Sequence, residues 1–183
     1  MTQSLQSIPL KKIDGTQTSL AAYSGKVLLV VNVASKCGLT KQYEGLEALY
    51  RNKRGDGFEV LGFPANNFKG QEPGTDAEIA DFCASTYQVD FPMFSKLSVK
   101  GDDQHPLYAA LTQAQPQAQG DGPFRENLKK YGIDGGEPSD VLWNFEKFLI
   151  GRNGQVVARF SPDVTPDDSR LVSAIEAELG KRP

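Results

Sequence analysis

The feature that most constrains the fold is "KVLLVVNVA", residues 26–34, an unbroken apolar run rich in β-branched residues. Such a run predicts a strand that is buried on both faces of a sheet. Residues 40–57 then carry apolar positions at helical spacing and end in glycines, and "FEVLGF", residues 58–63, predicts a second strand. Strand, helix and strand in this order make a right-handed βαβ unit with parallel strands.

The C-terminal part of the chain predicts a ββα unit. Asn153 and Gly154 lie between two apolar-rich runs, which indicates a tight hairpin turn between two strands. Thr165 and Pro166 predict the N-cap and the first residue of a final helix, which has one apolar face.

The residues between these two units predict further elements. Thr75 and Glu78 make a capping-box pattern that opens a helix. "FPMFSKLSV", residues 91–99, predicts a third strand, and "HPLYAALTQAQ" predicts another helix, with His105 as a residue at its start. Residues 113–140 are rich in Gln, Gly, Pro and Asp, and predict an irregular insertion with one short helix.

Together these elements predict an α/β protein with a thioredoxin-like fold. We expect a central mixed sheet flanked by helices, with an inserted helix and loop between the βαβ and ββα halves, in a single domain over residues 1–183. Open α/β sheets host their chemistry beyond the carboxyl ends of the strands. The junction of the first long strand and the first helix is therefore the expected site.

Charge and hydropathy exclude several classes of protein. The net charge of -3 offers no basic surface for nucleic acid or an anionic membrane. No segment approaches the roughly 20 apolar residues that span a bilayer. The first residues, "MTQSLQSIPLKKIDG", lack the pattern of a secretion signal, so we expect a cytoplasmic protein whose thiols are reduced at rest.

The chain has two cysteines, Cys37 and Cys83, and one histidine, His105. This set disfavours a structural zinc site, and there is no C-x-x-C pair for dithiol exchange of the thioredoxin type. We therefore expect no metal, and any redox chemistry would use Cys37 alone or Cys37 together with Cys83.

Cys37 lies in "NVASKCGLT", where a predicted strand ends and a helix is about to begin. A thiol becomes a nucleophile as its thiolate, and a helix N-terminus with Lys36 beside it would favour that anion. Gly38 would let the backbone approach the sulfur without a Cβ in the way. Position alone leaves a second interpretation equally open, in which Cys37 is a small buried apolar residue.

The sequence resembles the glutathione peroxidase family in three ordered motifs and over nearly the whole chain, residues 8–180. "NVASKCGLT" resembles the motif of the peroxidatic residue, with Cys37 in the place of selenocysteine. "LGFPANNFKGQEPG" resembles the second motif, which contributes Gln71, and "DVLWNFEKFLIGRNG" resembles the third, which contributes Trp143 and Asn144. The similarity is greatest to bacterial members that use cysteine.

The resemblance implies a peroxidase of the antioxidant, stress-response type whose tetrad is Cys37, Gln71, Trp143 and Asn144. Side-chain N–H donors aimed at a sulfur favour the thiolate and polarise the oxygen that takes up charge as the O–O bond breaks. Taken singly, these residues have structural explanations: a surface loop for Gln71, core filling for Trp143 and a turn or cap for Asn144. The sequence departs from the family's F-P-C-N-Q-F segment at Ala65 and Asn67, so no thiol is available there.

The resemblance also implies that a second cysteine resolves the oxidised Cys37, and Cys83 is the candidate. Cys83 shares a helical face with Ile79 and Phe82, so a plain core role is the alternative. The expected cycle forms a Cys37 sulfenic acid, then a Cys37–Cys83 disulfide that thioredoxin reduces. In the alternative, glutathione reduces Cys37 directly, without Cys83. The expected substrates are hydrogen peroxide and organic hydroperoxides, and we expect a monomer or dimer.

Other functions place different demands on these residues. A peroxiredoxin needs Pro-x-x-x-Thr/Ser-x-x-Cys, and the matching positions hold Val30 and Ala34. An oxidant sensor that passes its disulfide to a client protein would use the same residues, so repeated turnover with thioredoxin is needed to separate it from a peroxidase. A purely structural or binding module would leave four matched polar residues without a purpose.

Overall fold

The computed structural model describes residues 4–182 of the chain. Its six strands are β1 (Leu10–Lys11), β2 (Gln17–Thr18), β3 (Val27–Val33), β4 (Phe58–Pro64), β5 (Lys147–Ile150) and β6 (Val156–Phe160). Its five α-helices are α1 (Gln42–Lys53), α2 (Asp76–Tyr87), α3 (Pro106–Ala114), α4 (Asp121–Lys130) and α5 (Ser169–Leu179). Short 3-10 helices span Leu5–Ser7, Leu20–Tyr23 and Arg54–Asp56.

A four-stranded mixed sheet in the order β4-β3-β5-β6 forms the centre. β3 pairs with β4 in parallel along its whole length, and with β5 in antiparallel fashion. All residues of β3, β4 and β5 are buried, as the β-branched runs predicted, because helices cover both faces. The thioredoxin-like α/β architecture expected from the sequence is therefore confirmed.

Alternate residues of β3 point into two apolar clusters on opposite faces of the sheet. Val27, Leu29, Val31 and Val33 join the cluster that packs against α1, α2 and α5. Leu28 and Val30 join the cluster that packs against α3 and α4. Cys37 lies beyond the end of β3 and contacts both clusters, so the end of this strand is where the two halves of the core meet.

Several local predictions are confirmed. Thr75 and Glu78 form both hydrogen bonds of a capping box at the start of α2. His105 caps α3, since its Nδ1 accepts the Leu107 N–H at 3.0 Å. Gly154, with φ 82°, turns the chain between β5 and β6. The insertion carries the short helix α4.

Residues 91–99 do not form the predicted third strand. They join β4 through one parallel bridge, Gly62 to Met93, and through the Leu97 N–H, which donates to the Pro64 carbonyl at 2.9 Å. Phe94 forms an antiparallel bridge with Lys12. Pro92 has no N–H to give to a ladder. Further along, the Val99 N–H donates to Asn67 Oδ1 at 2.9 Å, and not to a carbonyl of a neighbouring strand.

The start of the last helix also differs from the prediction. α5 begins at Ser169, and its N-cap is Asp168, whose Oδ1 accepts the Arg170 N–H at 2.9 Å. The Thr165 hydroxyl donates instead to the carboxylate of Asp167. A carboxylate one turn later in the chain therefore takes the capping role. The small β1–β2 hairpin was not predicted.

Within residues 4–182, no helix has both the length and the apolar character that crossing a membrane requires.

Candidate active site

Residues 34–41, here called the Cys37 loop, connect the end of β3 to the start of α1. Cys37 is half-buried in this loop, and its Sγ accepts the Leu39 N–H at 3.3 Å. The Thr40 hydroxyl accepts the Cys37 N–H at 2.9 Å and donates to the Ala34 carbonyl at 2.8 Å. The loop therefore holds the sulfur partly open to solvent with one backbone donor on it.

Two details of the Cys37 loop differ from the sequence-based expectation. α1 starts at Gln42, more than a turn beyond Cys37, so the nearby amide of Leu39 supplies the donor that we expected from the helix N-terminus. Gly38 has no positive φ, and a Cβ built on it would meet no atom of the described residues within 4 Å. Neither a tight bend nor a close approach therefore explains this glycine.

Gln71 and Asn144 are 73 residues apart in the sequence and meet beside this loop. The Asn144 Nδ2 donates to Gln71 Oε1 at 2.9 Å, and the Gln71 carbonyl accepts the Lys36 N–H at 3.0 Å. Asn144 is fully buried, whereas Gln71 is half-buried. The structure therefore brings Gln71 and Asn144 together and ties them to the residue before Cys37.

Trp143 lies beside Asn144 with 8% of its surface exposed. Its ring packs on Phe68 with centroids 5.2 Å apart, and it belongs to a cluster that also contacts Cys37. Among residues 4–182, the hydrogen bonds to the Cys37 sulfur include none from Gln71, Trp143 or Asn144. Among the described residues, the donor to the sulfur is therefore the Leu39 N–H.

Sequence reasoning missed Asn32, which fixes the position of Trp143 and Asn144. Its Nδ2 donates to the Trp143 carbonyl at 3.0 Å, and its own carbonyl accepts the Phe145 N–H. Phe145 has a φ of 67°, an unusual value for a residue with a side chain, and the turn that it makes places Asn144 against Gln71. A polar residue inside a β-branched strand was the signal that could have identified Asn32.

A buried ion pair supports the loop that leads into Trp143. Arg159 contacts Glu146 Oε2 at 2.6 Å, and Glu146 Oε1 accepts the Leu142 N–H at 3.0 Å. Arg159 also donates to the carbonyl oxygens of Ser139 and Asp140. Burial raises the pKa of Glu146, and the charge of Arg159 opposes this effect. Breaking one partner of such a pair is costly, so the loop is held firmly.

Cys83 lies on α2 and is fully buried, with 2% of its surface exposed. Burial raises the pKa of its thiol to about 11; the Tyr43 hydroxyl partly opposes this effect, and the negative charge of Glu72 adds to it. Both cysteines are free thiols in the structure. They contact one apolar cluster in common, the one that packs against α1, α2 and α5.

Glu72, the neighbour of Gln71, is the other residue that sequence reasoning missed. Its side chain is fully buried, and a cleft of about 370 Å³ between the Cys37 loop and α2 is lined by Ser35, Glu72, Ile79 and Phe82, among others. A larger cleft of about 610 Å³ lies between α1 and α5, and Cys37 does not line it. No spacing rule identifies a buried glutamate inside a loop, so its burial is a finding of the structure.

Comparisons with known proteins find relatives over nearly the whole chain. The family model for glutathione peroxidase matches residues 5–112. The thioredoxin/glutathione peroxidase BtuE of Escherichia coli is 49% identical over 183 residues, 99% of this chain and 100% of that protein. The hydroperoxy fatty acid reductase gpx1 of a Synechocystis species is 48% identical over 157 residues, 85% of each chain.

Solved structures show the same fold. The crystal structure of T. cruzi GPX1 is similar with a TM-score of 0.70 and 34% identity over 97% of both chains. A thioredoxin family thiol:disulfide interchange protein from Chlorobium tepidum has a TM-score of 0.64 over 98% of both chains. At 16% identity, the second likeness is one of fold alone.

Proposed function

Because this chain belongs to the glutathione peroxidase family and is a peroxidase, we propose that Cys37 is its peroxidatic residue. Its thiolate attacks one oxygen of a hydroperoxide, the O–O bond breaks, and an alcohol or water leaves while Cys37 becomes a sulfenic acid. The observation that carries this proposal is the half-exposed sulfur, with the Leu39 N–H on it, beside the bonded amides of Gln71 and Asn144.

We propose that three side chains stabilise the negative charge that develops on the peroxide oxygen as the O–O bond breaks: Gln71, Trp143 and Asn144. Each has an N–H donor: the amides of Gln71 and Asn144 and the indole of Trp143. Preformed donors stabilise charge without reorganising during the reaction. The supports for this role are the fixed Gln71–Asn144 hydrogen bond and the attachment of the Trp143 segment to Asn32.

We propose that Cys83 resolves the sulfenic acid and that thioredoxin then reduces the Cys37–Cys83 disulfide. A disulfide requires Cα atoms within about 7 Å. Cys83 is buried in α2, so we expect part of α2 to unfold in each cycle before the sulfurs meet. α2 buries two of its residues, Ile79 and Cys83, which makes such local opening inexpensive.

The substrates and setting proposed are those of a general thiol peroxidase. Hydrogen peroxide and organic hydroperoxides both offer the O–O bond that the reaction needs, and the Synechocystis relative is named for fatty acid hydroperoxides. The Escherichia coli relative is named for both thioredoxin and glutathione, so glutathione acting on Cys37 alone is the competing reductant. A reducing compartment such as the cytoplasm would keep both thiols available.

Intact mass after one equivalent of hydrogen peroxide, followed by peptide mapping, tests the proposal. We expect the reduced protein to lose two hydrogens and to yield a Cys37–Cys83 linked peptide. The Cys83→Ser variant, as the matched control, should instead retain one oxygen on Cys37. An unchanged mass with peroxide left unconsumed would refute the role of Cys37.

Steady-state turnover then separates the reductants. Wild-type protein with thioredoxin, thioredoxin reductase and NADPH should consume many equivalents of peroxide, and the Cys83→Ser variant should not. Equal turnover of both proteins with glutathione in place of thioredoxin would move the cycle to Cys37 alone. Consumption of a single equivalent with either reductant would favour a sensor that needs a client protein.

A further inference from the structure

The carboxyl group of Glu72 is buried between the Cys37 loop and α2. Within residues 4–182, neither of its oxygens has a hydrogen-bond partner, and the side chain has no exposed surface. Burying a carboxylate without partners costs free energy, so such a residue destabilises the fold when it is ionised. Its place in the structure is therefore better explained by chemistry than by packing.

Charged and polar groups face Glu72 from each element packed around it. From the Cys37 loop, the Ser35 hydroxyl and N–H face the carboxyl group without closing a hydrogen bond of ordinary geometry, and Lys36 acts through its charge. From α2 and α1, the Cys83 thiol and the Tyr43 hydroxyl both lie within reach of its negative charge.

A lysine lies on the remaining side. Lys96 follows α2, and its Nζ donates to the backbone carbonyl oxygens of Glu72 and Gly74 instead of to the carboxyl group. Its charge still acts on the carboxyl group from there. The carboxyl oxygens of Glu72 therefore remain free, with the residues of the Cys37 loop on one side and Cys83 on the other.

We infer that Glu72 transfers the proton when Cys83 condenses with the Cys37 sulfenic acid. This inference depends on the two-cysteine cycle proposed above. The Glu72 carboxylate takes the proton from the Cys83 thiol, and the Cys83 sulfur attacks the Cys37 sulfur. The S–O bond breaks, and the leaving hydroxide takes the proton from Glu72, so the products are a disulfide, water and the original carboxylate. Cys83 is oxidised and the Cys37 sulfenic acid is reduced.

The protonation equilibria of the two groups agree with this transfer. Burial raises the pKa of Glu72, while the Ser35 contacts and the charges of Lys96 and Lys36 oppose that effect. The pKa of the Cys83 thiol is about 11, so it rests as an unreactive thiol. The nearby carboxylate helps to keep the thiol protonated at rest. Because it lies between Cys83 and the Cys37 loop, it is the base that the thiol meets as α2 opens toward Cys37.

Single-turnover kinetics of the Glu72→Gln variant test this inference. Reduced protein is mixed with one equivalent of hydrogen peroxide, and the fluorescence of Trp143, the one tryptophan in the sequence, is followed with acid quench and mass analysis. The sulfenic acid should form at the wild-type rate. Disulfide closure should slow by at least about 10²-fold, the lower end of the contribution that general acid–base catalysis makes.

The pH profile separates proton transfer from a structural role. Wild-type closure should be level with pH once Glu72 is ionised. Closure in Glu72→Gln should instead rise tenfold per pH unit up to the pKa of Cys83, because it then depends on the thiolate fraction. A rate lowered by one factor at every pH, or a profile like that of the wild type, would overturn the inference.

Control variants complete the experiment. Glu78→Gln removes a charge from the wall of the same cleft, and a glutamine can keep the capping bond to the Thr75 N–H, so its closure should match the wild type. Glu72→Asp retains a carboxylate and should keep the level pH profile at a reduced rate, which also serves if Glu72→Gln folds poorly. Wild-type protein that forms sulfenic acid but no Cys37–Cys83 disulfide would refute the two-cysteine cycle itself, and with it this inference.

Discussion

Cys37 and Cys83 belong to the same protein and differ in almost every physical respect. Cys37 is half-exposed in a loop fixed by the Thr40 hydroxyl, with a backbone N–H on its sulfur. Cys83 is buried in a helix, and its thiol has a pKa of about 11. The difference shows that the surroundings of a thiol alone can leave it accessible for reaction or keep it buried and protonated. In the proposed cycle Cys37 reacts with peroxide, and Cys83 is shielded from it by burial.

The largest expected effect comes from replacing each cysteine in turn with serine. Cys37→Ser should lower the first-turnover rate with peroxide by at least about 10³-fold, since removing a nucleophile elsewhere costs up to about 10⁶-fold. With thioredoxin as the reductant, Cys83→Ser should consume the first equivalent of peroxide at the wild-type rate and then stop. Stopped-flow peroxide consumption measures both rates. A wild-type rate in Cys37→Ser would refute the assignment of Cys37 as the residue that reacts with peroxide.

Alkylation rates should sharpen the comparison at a smaller scale. Raising the pKa of Cys83 from 9.0 to about 11 lowers its thiolate fraction at pH 8 by about 10²-fold, and burial slows its reaction further. Iodoacetamide at pH 8 should therefore label Cys37 before Cys83 in the reduced protein. Labelling of Cys83 should rise about tenfold per pH unit from pH 8 to 10 and level off near 11.

Equal labelling of the two thiols at pH 8 would contradict this description of Cys83. Protein unfolded in urea provides the control, because both thiols should then react at similar rates. Peptide mapping after timed quenching assigns each label to its cysteine.

A third change should weaken the contrast by loosening α2. Ile79 is the other buried residue of this helix, with 2% of its surface exposed. Ile79→Ala should lower the free energy of unfolding by about 2–5 kcal/mol and raise the labelling rate of Cys83. Urea unfolding and timed alkylation measure the two effects, and the labelling of Cys37 should stay unchanged. A stability loss with no faster labelling of Cys83 would show that α2 does not open on its own.

The smallest effect is expected at Gly38. A Cβ there meets open space at an ordinary φ, so Gly38→Ala should change the free energy of unfolding by no more than about 0.5 kcal/mol. Gly154 is the matched control, since its φ is 82° and a Cβ would lie 2.5 Å from Gln6 Nε2. Gly154→Ala should therefore be clearly destabilising in the same urea titration.

Patterns that depend on near neighbours in the sequence could be predicted, and those that depend on folding could not. The β-branched run of β3 and the capping box of α2 are local, and both appear as predicted. The N-cap at Asp168 was missed because several polar residues compete there. Whether residues 91–99 pair as a strand depends on which backbone groups of β4 are free. The sequence of residues 91–99 does not contain that information.

The candidate site follows the same division. The positions of Cys37, Gln71, Trp143 and Asn144 could be proposed from motifs, but the bond from Asn144 to Gln71 joins residues far apart in the sequence. Asn32 carries a local signal, a polar residue inside a β-branched strand, but its bond to Trp143 and the burial of Glu72 arise only on folding. The distance from Cys37 to α1 also escaped prediction, since a turn and a helix share the same residue types at their junction.

The two ends of α2 are fastened more firmly than its middle. At the start, Asp76 accepts hydrogen bonds from the Ser95 hydroxyl and the Lys96 N–H. Beyond its end, Glu47 Oε1 accepts the Asp90 N–H at 2.8 Å and the Phe91 N–H at 3.3 Å. A helix that opens between such anchors becomes a short tethered loop, not a free segment.

Tethering gives Cys83 an effective concentration at Cys37. For short flexible connections this quantity reaches the mM range, and it does not fall when the surrounding solution is diluted. A dissolved thiol must reach a comparable concentration to intercept the sulfenic acid first. The anchors of α2 thus set a threshold below which a free small-molecule thiol cannot compete, and on the proposed cycle they make the choice of reductant a property of the fold.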